Sequence, residues 1–360
     1  MIFACGIYPP EIGGPATVIH DAVTTLRSRG VDCTVMTYGE PREGVVAVSR
    51  QGNALVRYWR FARRLRALLR STDSLIATDV FSVGIPARLA LIGRKNSLTI
   101  RLGGEWAWED AVNRGARVTM RSYWEQPTDH IRFFWKKQLM RWILRRSKKI
   151  ILTTDLLREP IRQLDQTFLQ RCVTVQNIHG LQQYRHPREG GDPVVASPHH
   201  PLRLLYVGRF APVKNVALLS DVCRLLVARG VAYELTLVGS GPEESRIRAA
   251  CEGLNVRFLP PVSTTGLPEL YTDHDLLVLP SFSDMSPNAV TEALSVGLPC
   301  LLTSEHGLPR PVPGTVECDP MNANVWAEQI QRLTDADIYV ELQSAAIAMN
   351  PTANRLADIL

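Results

Sequence analysis

The sequence predicts an α/β protein of two domains, each built on a parallel sheet that helices cover on both faces. Short β-branched runs alternate with longer amphipathic runs, as expected when each strand is followed by a crossover helix. The 360 residues suffice for two domains of ordinary size, and the same strand–helix rhythm begins again near residue 202.

The predicted strands of the first half are 2–6, 31–37, 74–78, 97–102, 149–153 and 172–176. Those of the second half are 202–207, 233–238, 255–259, 276–279, 299–302 and 315–318. We therefore expect a first domain over 1–183 and a second over 202–338. Residues 184–201, rich in Pro, Gly, His and charge, show no period and are interpreted as a flexible, functionally silent insertion, similar to translated genomic repeats of bacterial genes.

Composition excludes several classes of protein. Hydrophobic residues make up 45% and charged residues 21%, and no apolar run approaches the roughly 18 to 20 residues of a membrane span. The first eight residues contain no basic leader and are followed by Pro9 and Pro10, so we expect no signal peptide and a cytoplasmic location. The net charge of +6 suits anionic partners of several kinds.

Neither cysteine nor histidine spacing predicts a metal site. The seven cysteines are scattered through apolar segments without a C-x-x-C pair, which is typical of small core residues. The adjacent His199 and His200 have no carboxylate or thiol in register, and we interpret them as solvated.

A Gly-Gly turn follows the first predicted strand. Gly13 and Gly14 allow the backbone to approach a ligand closely, and the start of the next helix presents N–H groups to an anion. That helix has an apolar face of Val18, Ile19, Ala22, Val23 and Leu26. The pattern is not a dinucleotide fingerprint, and a plain strand-to-helix turn is the alternative.

Two cations follow the first strand of the second half. Arg209 and Lys214 leave the strand after Gly208 and lead toward a helix, so both can converge on one anion such as a diphosphate. Ordinary surface charge is the alternative.

Two carboxylates follow the strand at 276–279. Asp284 lies in the loop and Glu292 about one turn into the next helix, so both can face one crevice and accept hydrogen bonds from sugar hydroxyls. A solvated helical Glu is the alternative for Glu292.

Taken in order, these motifs resemble the retaining glycosyltransferases of family 4, which have the GT-B fold of two Rossmann-like domains facing across a cleft. The motifs are the Gly-Gly loop, V-G-R-x4-K, V-G-S-G-P over 238–242, P-S-x2-D-x-S-P-N-x3-E-A over 280–293, and G-x-P over 297–299. The resemblance covers nearly the whole chain apart from 184–201. Two stretches depart from it: Asp284 stands where Glu is common, and 175–180 reads V-Q-N-I-H-G.

The resemblance implies roles for individual residues. Arg209 and Lys214 would hold the donor diphosphate, Asp284 would contact the sugar, and Glu292 would bind the ribose. It also implies retention without a protein nucleophile or a metal, and a segment 339–360 that packs back on the first domain. The further implied donor-binding residues are Gly13, Gly14, Gly208, Gly239, Gly241, Ser286, Pro287 and Asn288.

The run R-L-G-G-E-W-A-W-E over 101–109 is similar to an acceptor-side segment of related bacterial enzymes. Glu105 is expected to face the cleft, and Trp106 or Trp108 to stack on a sugar ring. Tryptophans buried in the first domain are the alternative.

Two basic amphipathic stretches, 57–70 and 132–149, interleave Arg and Lys with aromatic residues. Such faces suit an anionic membrane surface, where lipid-linked acceptors are found. Ordinary core-packed helices are the alternative, and no nucleic-acid-binding module accompanies them.

The sequence therefore predicts a hexosyltransferase of cell-envelope polysaccharide synthesis, cytoplasmic or at the inner face of the plasma membrane. It would use a UDP- or GDP-linked sugar as co-substrate, need no cofactor, and act on a glycan or polyprenyl-linked acceptor. A sugar-nucleotide epimerase or hydrolase of the same fold, and a non-catalytic nucleotide-sugar-binding protein, are the alternatives.

Overall fold

The computed structural model describes residues 1–9, 11, 14–40, 42–176, 197–263, 265–348, 356 and 360. The chain divides into two compact units. The first contains Met1–Ala107, Asp129–Asn177 and Ala353–Leu360, and the second contains Trp108–Thr128 and Ile178–Thr352.

The elements up to residue 176 form a seven-stranded parallel sheet and the helices around it. The strand order is β3-β2-β1-β4-β5-β6-β7. The strands are β1 (Ile2–Cys5), β2 (Thr34–Tyr38), β3 (Val45–Val48), β4 (Leu75–Ala77), β5 (Leu98–Leu102), β6 (Lys149–Leu152) and β7 (Cys172–Thr174). The helices are α1 (Gly14–Ser28), α2 (Ala54–Leu68), α3 (Gly84–Ala90), α4 (Trp106–Asn113), α5 (Met120–Glu125), α6 (His130–Arg145) and α7 (Arg158–Leu164).

The elements from residue 202 form a six-stranded parallel sheet in the order β10-β9-β8-β11-β12-β13. The strands are β8 (Leu202–Val207), β9 (Tyr233–Val238), β10 (Val256–Leu259), β11 (Leu276–Leu279), β12 (Cys300–Thr303) and β13 (Thr315–Cys318). The helices are α8 (Leu218–Ala228), α9 (Glu244–Ala250), α10 (Leu267–Thr272), α11 (Asn288–Ser295), α12 (Ala323–Arg332) and α13 (Ala336–Ala348). The expectation of an α/β protein with two parallel sheets is confirmed.

The burial pattern follows the residue patterns from which these elements were predicted. In α1 the five apolar positions of the predicted face are all buried and join the core of the first unit. The strands β4, β11 and β12 are buried along their whole length, as expected for central strands with helices on both faces. All seven cysteines are free thiols, and all but Cys172 are buried.

The two long helices α2 and α6 of the first unit begin with side-chain caps. Asn53 Oδ1 accepts a hydrogen bond from Val56 N at the start of α2, and Asp129 Oδ1 accepts one from Arg132 N at the start of α6. Each cap satisfies a backbone N–H that has no partner within the helix.

The unit boundaries differ from the expected domains at Trp108–Thr128, which belong to the second unit although we expected them in the first. One hydrogen bond within the segment and one to the loop after β11 accompany this grouping. The indole N–H of Trp108 donates to Val118 O at 2.8 Å, and the N–H of Met120 donates to Ser283 Oγ at 2.9 Å.

The C-terminal segment also differs from the expectation. We expected residues from about Tyr339 to pack on the first domain, but α13 belongs to the second unit. Ala346 is part of the second core, and Tyr339 OH donates to Asp275 O at 3.0 Å. The residues that join the first unit begin at Ala353, and Leu356 is buried in its core.

Most of the predicted insertion, 184–196, lies outside the described residues, but its end is described. His199 is held by Asp275: its N–H and its Nδ1 lie 3.2 and 2.6 Å from Asp275 Oδ1. The other carboxylate oxygen accepts from Arg203 N at 2.7 Å. His199 therefore belongs to the folded second unit and is not merely solvated.

Candidate active site

The order of strands in the second sheet reverses between β8 and β11. These two strands are neighbours in the sheet. The strand that follows β8 in sequence, β9, lies on one side of the pair, and the strand that follows β11, β12, lies on the other. In open parallel sheets ligands bind outside the carboxyl ends of the strands at such a reversal. The loops that leave β8 and β11 at this point carry the predicted donor residues.

Lys214 and Asp284 form an ion pair that joins these two loops. Lys214 Nζ lies 2.6 Å from Asp284 Oδ2. The carboxylate is 5% exposed, whereas the Lys214 side chain is 25% exposed. The ammonium is therefore fixed on one side by a buried carboxylate and remains accessible on the other.

The backbone and side chain of Asp284 are held by further hydrogen bonds. Ser281 Oγ donates to the same Oδ2 at 3.1 Å. The N–H of Asp284 donates to Glu305 O, and its carbonyl accepts from Gly307 N, both at 2.8 Å. This loop is consequently pinned to the loop that follows β12.

Glycines form a tightly packed backbone next to the pair. A Cβ on Gly239, whose φ is +147°, would lie 1.9 Å from Gly208 O. A Cβ on Gly241 would lie 2.4 Å from Phe210 O. Both distances exclude a side chain, so the loops that follow β8 and β9 can pack this closely only because glycine occupies positions 239 and 241.

Arg209 is exposed, two residues after the end of β8. Its carbonyl accepts a hydrogen bond from Tyr206 OH at 3.0 Å, which fixes the backbone there. Its guanidinium makes no hydrogen bond or ion pair with another residue in the part of the chain that the structure describes. The guanidinium is available to an anion from solvent.

Glu292 is half-buried on α11 and receives a hydrogen bond from Tyr271. The distance from Tyr271 OH to Glu292 Oε2 is 2.7 Å, and Tyr271 is fully buried. Burial raises the pKa of the Glu292 carboxyl, and the Tyr271 hydrogen bond opposes that rise. One carboxylate oxygen is thereby oriented by the fold.

Ser286, Pro287 and Asn288 form the turn into α11. Asn288 N donates to Ser286 O at 2.8 Å, and Pro287 O accepts from Val290 N at 3.0 Å. These residues set the start of the helix that carries Glu292.

The predicted residues of the first half of the chain differ in burial. Gly13 lies outside the described residues, and Gly14 is the first residue of α1. Glu105 and Trp108 are 1% and 2% exposed. Glu105 Oε1 accepts from Ala107 N at 3.1 Å at the start of α4, and the side chain is buried there. That Glu105 faces a cleft stays a prediction.

Trp106 is the exposed indole of this segment. It is 43% exposed, and its ring centroid lies 4.1 Å from that of Phe81. Lys136 Nζ lies 4.2 Å from the Trp106 ring centroid, which is a cation–π contact. Of the two candidate tryptophans, only Trp106 offers a surface on which a sugar ring could stack.

Asp79, which sequence reasoning missed, lies directly beyond β4, where the strand order of the first sheet reverses. Its Oδ1 accepts from Ser82 N at 2.6 Å and from Val83 N at 3.2 Å. Burial raises the pKa of this carboxyl. The signal was its position at a strand end, the same rule that identified Asp284.

Within the described residues, no group of three or more His, Cys, Asp or Glu side chains is arranged to hold a metal ion. At the reversal of the second sheet, the Lys214 ammonium and the Asp284 carboxylate meet, and the exposed Arg209 lies on the same loop as Lys214.

Comparison with known proteins finds similarity to glycosyltransferases. Residues 201–336 match the family described as glycosyl transferases group 1. The amylovoran biosynthesis glycosyltransferase of Erwinia amylovora is 32% identical over 127 residues, which are 31% of this chain and 30% of that protein. A D-inositol 3-phosphate glycosyltransferase of Salinispora arenicola is 33% identical over 144 residues, 36% of this chain and 32% of that protein. The matched segment thus spans about a third of these relatives.

Solved structures resemble the chain over nearly its whole length. Sucrose-phosphate synthase from Thermosynechococcus elongatus has a TM-score of 0.71 at 16% identity, covering 96% of this chain and 93% of that one. WaaG, a glycosyltransferase involved in lipopolysaccharide biosynthesis, has a TM-score of 0.66 at 15% identity, covering 100% and 99%. The fold is that of the GT-B proteins, and residues 201–336 are similar to the glycosyl transferases group 1.

Proposed function

We propose that the chain is a glycosyltransferase that moves a hexosyl unit from a UDP- or GDP-linked sugar to a glycan or lipid-linked acceptor, with retention at the anomeric carbon. The observation that carries this proposal is the Lys214–Asp284 pair at the reversal of the second sheet, within the segment that matches the group 1 family.

Arg209 and Lys214 would bind the donor diphosphate. When the bond between the anomeric carbon and the phosphate oxygen breaks, its electron pair remains on the diphosphate, and fixed cations stabilise that charge. Lys214 can serve because its ammonium is partly exposed while Asp284 holds it in place. We assign this charge stabilisation to the two side chains, without a metal ion and without any cofactor besides the nucleotide sugar.

Asp284 and Glu292 would contact different parts of the donor. Asp284 lies beside the lysine that binds the diphosphate and would accept hydrogen bonds from the transferred sugar. Glu292 would bind the ribose through Oε1, because Tyr271 already bonds Oε2.

The acceptor side is proposed to use Trp106 as a stacking surface. Aromatic rings bury the apolar faces of bound groups at low entropic cost, and Trp106 is held by Phe81 and Lys136. Glu105 and Trp108 would support this surface from the interior.

Peripheral contact with an anionic membrane surface is proposed from the two basic helices. No helix among the described residues has the length and apolar character to cross a membrane. The first two turns of α2 and α6 expose large apolar side chains, including Trp59 at 60% and Trp135 at 68%. Part of the basic character has a structural use, because Arg66 and Arg146 donate to backbone carbonyls. The exposed tryptophans therefore carry this proposal more than the arginines do.

A ligand screen tests the donor proposal. Thermal unfolding is measured with UDP, GDP and their common sugars, since a ligand at 100 times its dissociation constant adds about 2.7 kcal/mol of stability. Lys214→Met should reduce the shift at the same ligand concentration, and Lys95→Met, which alters an exposed lysine of the first unit, should preserve it. No shift with any nucleotide or nucleotide sugar would contradict a donor site here.

Transfer itself is tested with a radiolabelled donor found in that screen. The expected result is label in an acceptor-dependent product whose anomeric configuration equals that of the donor. Label released or epimerised without acceptor would identify the epimerase or hydrolase, and binding without turnover across an acceptor panel would identify a non-catalytic protein.

A further inference from the structure

Asn215, the residue after Lys214, has an uncommon backbone conformation in a buried position. Its φ is +50°, in the left-handed region, and it is 7% exposed. Asparagine tolerates this conformation better than most residues with a side chain, and glycine would adopt it without strain. Because the side chain is buried, its amide needs hydrogen-bond partners within the protein.

The amide joins three strand ends. Asn215 Nδ2 donates to Pro280 O at 3.2 Å and to Pro320 O at 2.9 Å. Pro280 follows β11 and opens the loop that carries Asp284, while Pro320 lies beyond β13. A backbone hydrogen bond also connects the loop that carries Lys214 with the loop that carries Asp284, because Phe282 N donates to Val213 O at 3.0 Å.

We infer that Asn215 is a positioning residue for the donor site: its amide fixes the loop that carries Lys214 against the loop that carries Asp284. The 2.6 Å contact of that pair depends on where the two loops lie, because the lysine side chain is long and flexible. A site that binds a diphosphate and a sugar together needs both groups held in place. The inference rests on the proposed function, in which these two residues bind the donor.

A matched control exists in the same unit. Asn255 Nδ2 donates to Tyr233 O at 2.8 Å, immediately before β10 and therefore at the amino edge of the sheet. Asn255→Ala removes an asparagine amide bonded to a backbone carbonyl, as Asn215→Gly does, but far along the strands from the candidate site. Glycine is chosen at 215 because it keeps the left-handed conformation.

The first measurement needs no ligand. Hydrogen–deuterium exchange is followed in peptides that cover 209–217 and 280–288 and in peptides from β9 and β10. Each neutral hydrogen bond lost changes a local opening equilibrium by roughly two- to tenfold. We expect exchange in Asn215→Gly to rise about tenfold in the two loops and to stay unchanged in β9 and β10, and Asn255→Ala to leave both loops unchanged.

The second measurement is the affinity for UDP and GDP. Asn215→Gly should weaken the nucleotide that wild type binds by roughly fivefold or more, whereas Asn255→Ala should not change it. Uniform loosening of the second unit, unchanged loops, or equal nucleotide affinity in Asn215→Gly and wild type would overturn the inference. If wild type binds neither nucleotide, the proposed function fails while the exchange result still decides the role of Asn215.

Should Asn215→Gly not fold, Asn215→Asp is measured in the same two ways. Aspartate keeps the shape and tolerates the left-handed conformation, but its ionised carboxylate donates no hydrogen bond to either carbonyl. If neither variant folds, Asn215 is required for the fold as a whole, and a local positioning role is refuted.

Discussion

Replacing Lys214 by methionine should separate the structural role of the ion pair from its role in binding. Breaking a fully buried ion pair by removing one partner costs about 3–5 kcal/mol, and exposed pairs contribute about 0–1 kcal/mol. Lys214 is 25% exposed and Asp284 is 5% exposed, with Ser281 Oγ still bonded to the same oxygen. We therefore expect Lys214→Met to lower the free energy of unfolding by about 2 kcal/mol.

The companion variant is Asp284→Asn, alone and in combination. In the double variant no uncompensated charge remains buried, so about half of the stability lost in Lys214→Met should return, giving a coupling energy of at least about 1 kcal/mol. Nucleotide binding should behave differently, because the lost contact to phosphate is not replaced. UDP or GDP affinity should fall by a factor of roughly 10 to 150 in both the single Lys214→Met and the double variant.

The assays are urea unfolding for stability and isothermal titration with UDP and GDP for binding. Strictly additive stability effects would show that the two side chains do not interact in solution. Wild-type nucleotide affinity in Lys214→Met would refute the placement of the diphosphate at this lysine.

Four other predictions concern the same site. Arg209→Ala should weaken nucleoside-diphosphate binding by about 1.5–3 kcal/mol with little loss of stability, since its guanidinium is exposed, as titration and unfolding will show. Kinetics with two donors that differ only in the sugar should separate the two carboxylates: Asp284→Asn should lower kcat or change the sugar accepted, and Glu292→Gln should raise KM for both donors. Asp284→Glu should be tolerated. Equal, donor-independent losses in Asp284→Asn and Glu292→Gln would refute separate roles. Tyr271→Phe removes the hydrogen bond that lowers the pKa of Glu292, so the carboxylate should become protonated at higher pH and the acid limb of the pH profile of 1/KM should move to higher pH. An unchanged acid limb would refute the binding of the ribose by Glu292. Deleting Arg185–Ser197, nearly all outside the described residues, should leave the melting temperature and the transfer rate almost unchanged, because each doubling of loop length costs only about 0.6 kcal/mol. An inactive deletion variant would contradict a functionally silent insertion.

The donor side could be predicted from the sequence because its residues lie at strand ends. The strands β8 and β11 are short apolar runs bounded by Gly or Pro, so their carboxyl ends, and hence Arg209, Lys214 and Asp284, could be located. The 2.6 Å contact between Lys214 and Asp284 could not, because it depends on the Asn215 bridge and on the pairing of the loops after β11 and β12. Such contacts between distant segments leave no local pattern.

Errors in the first half have similar causes. The strand β3 was missed because it is a four-residue edge strand directly after a turn at Gly44, and short edge strands give weak patterns. Residues 108–128 were expected in the first domain, whereas the structure groups Trp108–Thr128 with the second unit, to which the hydrogen bond from Met120 to Ser283 ties them. Chain order predicts domain membership only where a segment packs on its neighbours in sequence.

The choice between Trp106 and Trp108 shows how a structural detail decides a functional one. Both indoles follow β5 closely in sequence, and residue type alone does not show which of them is exposed. Because α4 begins at Trp106, successive residues turn by about 100°, so the two side chains point about 200° apart around the helix axis. Burial of Trp108, with its N–H bonded to Val118 O, therefore requires Trp106 to face outward. Had the helix start been recognised from Glu105, which caps it through Ala107 N, the sequence would have predicted that the two indoles cannot both be exposed on one side of the helix.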